Sequence, residues 1–220
     1  MFKGDDRYER RQFIVFGFYP LMVSFFGILQ TIWLRAPLFC FGCAITLMYV
    51  YMMSLDDLVS IDPLTNLNNR NQLNKYVSTE LNRSADRQLV YYVMMLDLDK
   101  FKVINDRFGH SEGDLAIQNA AKAIMEPCKN NPLHPFVARY GGDEFIIIVK
   151  TDSEENIIDL ESKIFQSFNN INGIIQKPYV LDTSIGYARA EGDISDFETV
   201  KNKADEALYR NKKEKYSING

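Results

Sequence analysis

Arg139-Tyr140-Gly141-Gly142-Asp143-Glu144-Phe145 lies between the apolar runs Phe136 to Ala138 and Phe145 to Val149, and it reads as two strands joined by a tight turn. Gly141 and Gly142 are expected to supply the positive φ angles of a two-residue hairpin loop, with β-branched and aromatic residues on both sides. Asp143 and Glu144 are then held at the tip of a rigid hairpin. Taken alone, the turn is most simply an ordinary hairpin with solvated acids, so its chemistry depends on what the rest of the chain brings to it.

Upstream, Leu89 to Leu98 is nearly continuous apolar sequence, the pattern of a central strand covered on both faces. It ends in Asp97 and Asp99, which alternation places on one face. A carboxylate at the end of a buried strand is costly unless it is paired or bound to a cation. Lys100 to Phe108 reads as a short helix stopped by Gly109, and Ser111-Glu112-Gly113-Asp114 as a capping box opening a helix that runs to about Glu126, before Pro127. Taken singly, Asp114 is a helix cap, His110 a loop residue and Asn105 a solvated helix position. Helical spacing also predicts helices over 71–82, over 153–169 and from Ser195-Asp196-Phe197-Glu198 onward, with a strand from Tyr179 to Ala188. The alternation gives an α/β (α+β) fold with a mixed central sheet flanked by helices.

The first quarter of the 220-residue chain differs from the rest: Phe13 to Leu55 contains a single charge, Arg35, although mean hydropathy over the whole chain is only -0.20. Residues 13–34 and 36–55 are each long enough to cross ~30 Å of hydrocarbon, which predicts a transmembrane hairpin in the lipid bilayer after a cytoplasmic tail, 1–12. Lys3, Arg7, Arg10 and Arg11 place both termini on the cytoplasmic side, with 56–220 as the soluble domain beneath the membrane. Cys40 and Cys43 fall inside the second run and read as packing residues. Cys128 completes the three cysteines, which imply no disulfide framework. A net charge of -4 without a basic run disfavours polymeric nucleic acid as a partner.

Together the acids suggest more than they do singly. Asp97 closes one strand, and a hairpin carrying Asp143 and Glu144 can pair beside it, so three carboxylates can converge at one sheet edge as a site for Mg2+. Such a site suits phosphoryl or nucleotidyl transfer. Five segments then occur in a recognisable order: Asp62-x-Leu64-Thr65-x-Leu67-x-Asn69-Arg70; Asp97-x-Asp99-x-Phe101-Lys102-x-Ile104-Asn105-Asp106-x-Phe108-Gly109-His110-x-x-Gly113-Asp114; Arg139 to Phe145; Ser184-Ile185-Gly186; and Ala204-Asp205-x-Ala207-Leu208-Tyr209. This order resembles the diguanylate cyclases of the GGDEF family, over about residues 62 to 215.

The resemblance implies condensation of two GTP into cyclic di-GMP with release of two pyrophosphates, each ribose 3'-OH attacking the other nucleotide's α-phosphate. It implies that Asp97, the Leu98 carbonyl, Asp143 and Glu144 hold Mg2+ or Mn2+, with Asp143 as general base. Lys102 stabilises transition-state charge, Asn105 and Asp114 read guanine, His110 neighbours the nucleotide and Lys212 binds phosphate. One domain holds one GTP, so the working species is a homodimer facing through its catalytic domains. A purine cyclase using ATP is disfavoured by Asp114, whose carboxylate suits the guanine N1-H and 2-amino donors. A catalytically silent domain that binds nucleotide or a partner as a membrane scaffold is the second reading.

Three departures from the family pattern stand out. The Arg-x-x-Asp of a product-inhibition site is replaced by Asn131-Pro-Leu-His-Pro135, which puts feedback through that site in doubt. The usual Ala-Lys-x-x-Gly-Arg-Asn of the last helix reads Asn211-Lys-Lys-Glu-Lys-Tyr-Ser217, which loses the arginine to Tyr216 and leaves Lys213 or Lys215 as substitutes. Asn66 stands where a glycine is common.

Overall fold

The computed structural model describes residues 20–33, 37–58, 60–81, 90–190 and 197–218, and the chain divides into two compact units, Met1–Val59 and Ser60–Gly220.

The first unit contains helix α1 (20–32) and helix α2 (Leu38–Leu58). They approach closely at Gly42, where an added Cβ would lie 2.3 Å from the ring of Phe26. The Phe39 N–H donates to Gln30 Oε1 at 3.2 Å, and the Thr46 hydroxyl is turned back onto the Gly42 carbonyl at 2.7 Å, so its polar atom is satisfied within α2. Among the described residues no helix is long and apolar enough to cross a membrane. Helix α2 runs unbroken from Leu38 to Leu58, and its sequence includes Thr46, Tyr49, Tyr51, Asp56 and Asp57. The expected pair of spanning helices, 13–34 and 36–55, is not found among the described residues. Residues 1–12, 13–19 and 34–36 lie outside the described residues.

The second unit is built on four strands, β1 (Tyr91–Leu98), β2 (Phe136–Gly141), β3 (Glu144–Lys150) and β4 (Thr183–Ala190), in the order β2-β3-β1-β4. All three pairings are antiparallel, which corrects the expectation of a mixed sheet; the parallel contact among the described residues is an isolated bridge between Asn68 and Ala138. Strand β1 is central, as its continuous apolar run requires. Its even-numbered residues Tyr92, Met94, Leu96 and Leu98 pack with Ile117 and Ile124 of α5 (His110–Lys129) and Leu160, Ile164 and Phe168 of α6 (Glu154–Ile175). Its odd-numbered residues Tyr91, Val93 and Met95 pack with Leu73 of α3 (Arg70–Tyr76) and Val200, Ala204 and Leu208 of α7 (Phe197–Ile218). The period-2 alternation of one strand thus organises both cores.

Two glycines have steric reasons to be glycine. An added Cβ at Gly186 of β4 would stand 2.0 Å from the Leu208 amide nitrogen, so only glycine lets α7 lie this close to the sheet. Gly109, at φ 84°, ends α4 (Phe101–Phe108) by donating to the Asn105 carbonyl at 2.9 Å and also opens α5. The expected capping box is not formed: Ser111 lies inside α5, whose N-terminal flank Gly109 has no side chain to cap with. Pro127 falls within the last turn of α5 instead of ending it. Helix α3 is shorter than its periodicity suggests and passes into a π turn, Val77–Leu81. The Ser195 capping box lies outside the described residues.

Candidate active site

The hairpin turn has a simpler geometry than its two glycines imply. Gly141 is the last residue of β2 and pairs with Glu144, leaving Gly142 and Asp143 as the two-residue loop. Of the two glycines only Gly142 has a positive φ, 48°. A register shift between Arg139 and Gly141 absorbs the extra residue and twists the strand end. Glu144 is thereby the first rung of β3, not part of the tip.

Arg139 holds this turn in place. Its Nε and Nη2 donate to the Gly142 carbonyl at 3.0 and 2.7 Å, and its Nη1 donates to both carboxylate oxygens of Asp62 at 3.1 and 3.0 Å. Asp62 is in turn fixed by the amide and hydroxyl of Thr65, at 2.9 and 2.7 Å. Burial pushes the Asp62 carboxyl up, but the Thr65 and Arg139 hydrogen bonds outweigh it and hold the group below its ordinary value. The first and third motifs of the sequence are one physical unit, a planar guanidinium bridging two turns. Neither was assigned this role from sequence, although both lie in quoted motifs.

Pairing of β1 with β3 places Asp97 directly opposite Glu144, and the Leu98 N–H donates to the Asp143 carbonyl at 3.3 Å. Three acids therefore meet at one sheet end. Lys212 of α7 enters from the odd-numbered face, with Nζ 2.5 Å from Asp97 Oδ1. Burial first, then Asp143 and Asp99, raise the Asp97 carboxyl above its usual value despite Lys212. Glu144 is raised likewise, by burial and by the charges of Asp97, Asp143 and Asp205. Like charges gathered at partial burial favour a cation, and Lys212 supplies one. Among the described residues, however, no three His, Cys, Asp or Glu side chains are gathered closely enough to hold a metal ion by themselves.

Asp99 departs from the sequence reading. It lies beyond the last residue of β1, is only 6% exposed, and accepts hydrogen bonds from Ser184 Oγ at 2.8 Å, Lys215 Nζ at 2.6 Å and the Tyr216 hydroxyl at 3.2 Å. Its oxygens are taken up by these partners within the protein, and it bears on the acids at the hairpin only through its charge, which adds to the raising of Asp97.

The remaining site residues sit on the α4–α5 corner. Lys102 is exposed in the first turn of α4, and His110 and Asp114 are exposed in the first turns of α5. Asn105 is half-buried against Gly113, where an added Cβ would lie 2.0 Å from Asn105 Oδ1. That oxygen is buried with no hydrogen-bond partner among the described residues. An acceptor placed in this way is costly unless a ligand donates to it.

A sequence profile of the family described as "Diguanylate cyclase, GGDEF domain" matches residues 59–217. The chain belongs to this GGDEF family. Its GGDEF domain is 39% identical over 151 residues to signaling protein YkoW of Bacillus subtilis, covering 67% of this chain and 18% of that protein. It is 33% identical over 153 residues to diguanylate cyclase DosC of Escherichia coli, covering 69% of this chain and 32% of the relative. The chain thus spans about a fifth to a third of the length of these relatives. Among solved structures, the GGDEF domain of DgcB from Caulobacter crescentus in complex with c-di-GMP matches with a TM-score of 0.61 and 26% identity, covering 70% of this chain and 91% of that one.

Proposed function

We propose that the GGDEF domain is a working diguanylate cyclase, joining two GTP into cyclic di-GMP and releasing two pyrophosphates. The observation that carries this reading is the set of Asp97, Asp143 and Glu144 at one sheet end, with Lys212 against Asp97.

The chemistry of these oxygens fits a hard divalent cation, Mg2+ or Mn2+, which Asp97, the Leu98 carbonyl, Asp143 and Glu144 would hold. When bound, the ion supplies charge neutralisation on the triphosphate and activates the ribose hydroxyl. The protein's own groups do the rest. Asp143 takes the 3'-OH proton as the oxygen attacks the α-phosphorus, and Lys102 stabilises the charge that develops there. Lys212 exchanges Asp97 for a phosphate oxygen once nucleotide enters. Asn105 Oδ1 and Asp114 accept the N1-H and 2-amino donors of guanine, with His110 at the rim, which gives GTP preference over ATP. Bond formation needs a second nucleotide in line, so two domains face each other as a homodimer.

Turnover of GTP with Mg2+ across a range of protein concentrations tests this reading, with Asp143→Asn as the control. A folded dimer that makes no product sinks it. A second reading, a silent nucleotide-binding scaffold, draws support from the tail, where Tyr216 replaces the family's arginine. In that case GTP raises the melting temperature with no product formed.

We also infer that the first unit associates with the bacterial inner membrane and leaves the GGDEF domain in the cytoplasm. The support is its unpartnered apolar surface, with Leu21 70% and Ile32 73% exposed alongside Phe25, Ile28 and Trp33. Flotation of the full chain with phospholipid vesicles checks this, and a chain that stays monodisperse in buffer and ignores vesicles overturns it.

A further inference from the structure

Three positions at which the last helix departs from the family pattern, Asn211, Lys215 and Tyr216, reach one place. Asn211 Nδ2 donates to the Ile185 carbonyl at 2.7 Å, and Lys215 Nζ donates to the Thr183 carbonyl at 3.0 Å. Thr183 and Ile185 are alternate residues of β4, one of the two edge strands of the described sheet. Lys215 also bridges Asp99 and Asp182, at 2.6 Å to each, and Tyr216 donates to Asp99. Lys213 takes no part in this and stacks on the Tyr209 ring at 4.5 Å.

The spacing turns these contacts into a device. Lys212 and Lys215 are i and i+3 on α7, so they project from the same side of the helix. Asp97 and Asp99 are i and i+2, the first in β1 and the second just past its last residue, Leu98. A helix advances about 4.5 Å over three residues and a strand about 6.6 Å over two, so long lysine stems can span both rungs. In the inner rung the Asp99 side chain is 5% and Lys215 32% exposed, whereas in the rung at the acid cluster Lys212 and Asp97 are 23% and 19% exposed. The inner rung is the more fixed one because Asp99 is also held by Ser184 and Tyr216 and Lys215 also by Asp182 and the Thr183 carbonyl.

We propose that Lys215, supported by Asn211 and Tyr216, is the positioning residue that clamps the end of α7 to the ends of β1 and β4 and thereby presents Lys212 to Asp97. This rests on the cyclase reading for its catalytic meaning, but the clamp itself is a property of the free protein. It also assigns the altered tail: Lys215 is occupied within the fold and is not a substitute for the missing arginine as a triphosphate ligand.

The test separates the two levels. In the full chain without nucleotide, lysine reactivity toward an amine-acylating reagent is followed residue by residue by mass spectrometry. Lys215→Met, which keeps the aliphatic stem and removes the charge, should raise the reactivity of Lys212 at least threefold, Lys215→Arg should restore protection, and Lys213→Met should change nothing. If Lys215→Met does not fold, Asp99→Asn combined with Lys215→Met removes the buried charge left behind and reports the same quantity. Unchanged Lys212 reactivity in a folded variant overturns the clamp, whatever the protein's activity. In GTP turnover, a positioning role lowers kcat about tenfold with KM altered less than threefold, since displacement of a charged group by ~1 Å is felt mainly in the transition state. A large rise in KM at constant kcat would instead make Lys215 a phosphate ligand and overturn the proposal.

Discussion

Asp97 and Glu144 stand directly opposite each other on β1 and β3, two carboxylates on one rung of an antiparallel pair. Like charges so placed destabilise a sheet. Burial lifts both carboxyls above their ordinary values, Asp143 lifts both further, and Asp97 adds to the shift of Glu144. The fold tolerates the strain with one lysine and is arranged to receive more positive charge.

Glu144→Gln should therefore abolish turnover and yet raise stability at neutral pH, by up to about 1 kcal/mol or about 2–4 °C in Tm. The sign in pH follows from the raised carboxyls. Their penalty is present above the folded pKa and vanishes as the pH falls through it into the ordinary carboxylate range. Thermal melts of both proteins should converge as the pH is lowered from 7. A variant that melts lower than the wild type at pH 7 contradicts the repulsion argument.

Divalent cation should act on the same rung. Mg2+ at 100 times its dissociation constant stabilises by about 2.7 kcal/mol if it binds the folded state alone. The Tm of the wild type should rise with added Mg2+ and that of Asp97→Asn should not, as read by calorimetry. An equal rise in both proteins would place the ion elsewhere.

Arg139→Met should loosen the hairpin. It removes two donors to the Gly142 carbonyl and the ion pair to Asp62, groups whose side chains are 15% and 16% exposed. A loss of about 2–3 kcal/mol is expected for charged hydrogen bonds of this kind, measured by urea unfolding. Asp62 then keeps the two Thr65 hydrogen bonds but loses the Arg139 share of what holds its carboxyl low. The stability it contributes above the unfolded value of 3.8, lost in the wild type as the pH falls through the lower folded value, should diminish in the variant.

Gly113→Ala is usually a favourable change within a helix, by about 1 kcal/mol. Here the sign should reverse, because the new methyl would lie 2.0 Å from Asn105 Oδ1. Displacement of that acceptor should reduce the preference for GTP over ATP, measured by nucleotide competition. Retained preference would remove Asn105 from the base site.

Asn66, where a glycine is common in the family, has φ 58°. Asn66→Gly should stabilise the domain by about 0.5–1 kcal/mol, since a side chain at positive φ is disfavoured even for asparagine. Turnover should be unchanged, and a drop in Tm would show that the side chain holds the turn together.

Much of the fold was legible because its signals are local. The apolar run ending at Asp97 could only be a central strand, and the Gly-Gly turn between two β-branched runs could only be a hairpin. Element ends were less legible. Ser111 looks like a cap, yet Gly109, at φ 84°, already closes one helix and opens the next. The two apolar runs meet the length rule for membrane helices, whereas among the described residues no helix is both long and apolar enough to cross a membrane, so the length of an apolar run did not decide this part of the fold.

By itself the sequence determined the order of most elements and the identity of the family, because these depend on residue type and spacing along the chain. Only the tertiary structure decided which acids act together. Asp97 and Asp99 look equivalent two residues apart, but strand register sends Asp97 to Glu144 and Lys212, while chain exit from the sheet turns Asp99 inward to Ser184, Lys215 and Tyr216. The role of Arg139 as the tie between Asp62 and the turn was equally a tertiary matter. The physical reason is that register and burial are set by the packing of elements distant in sequence, and a carboxylate's function follows from the charges that packing places beside it.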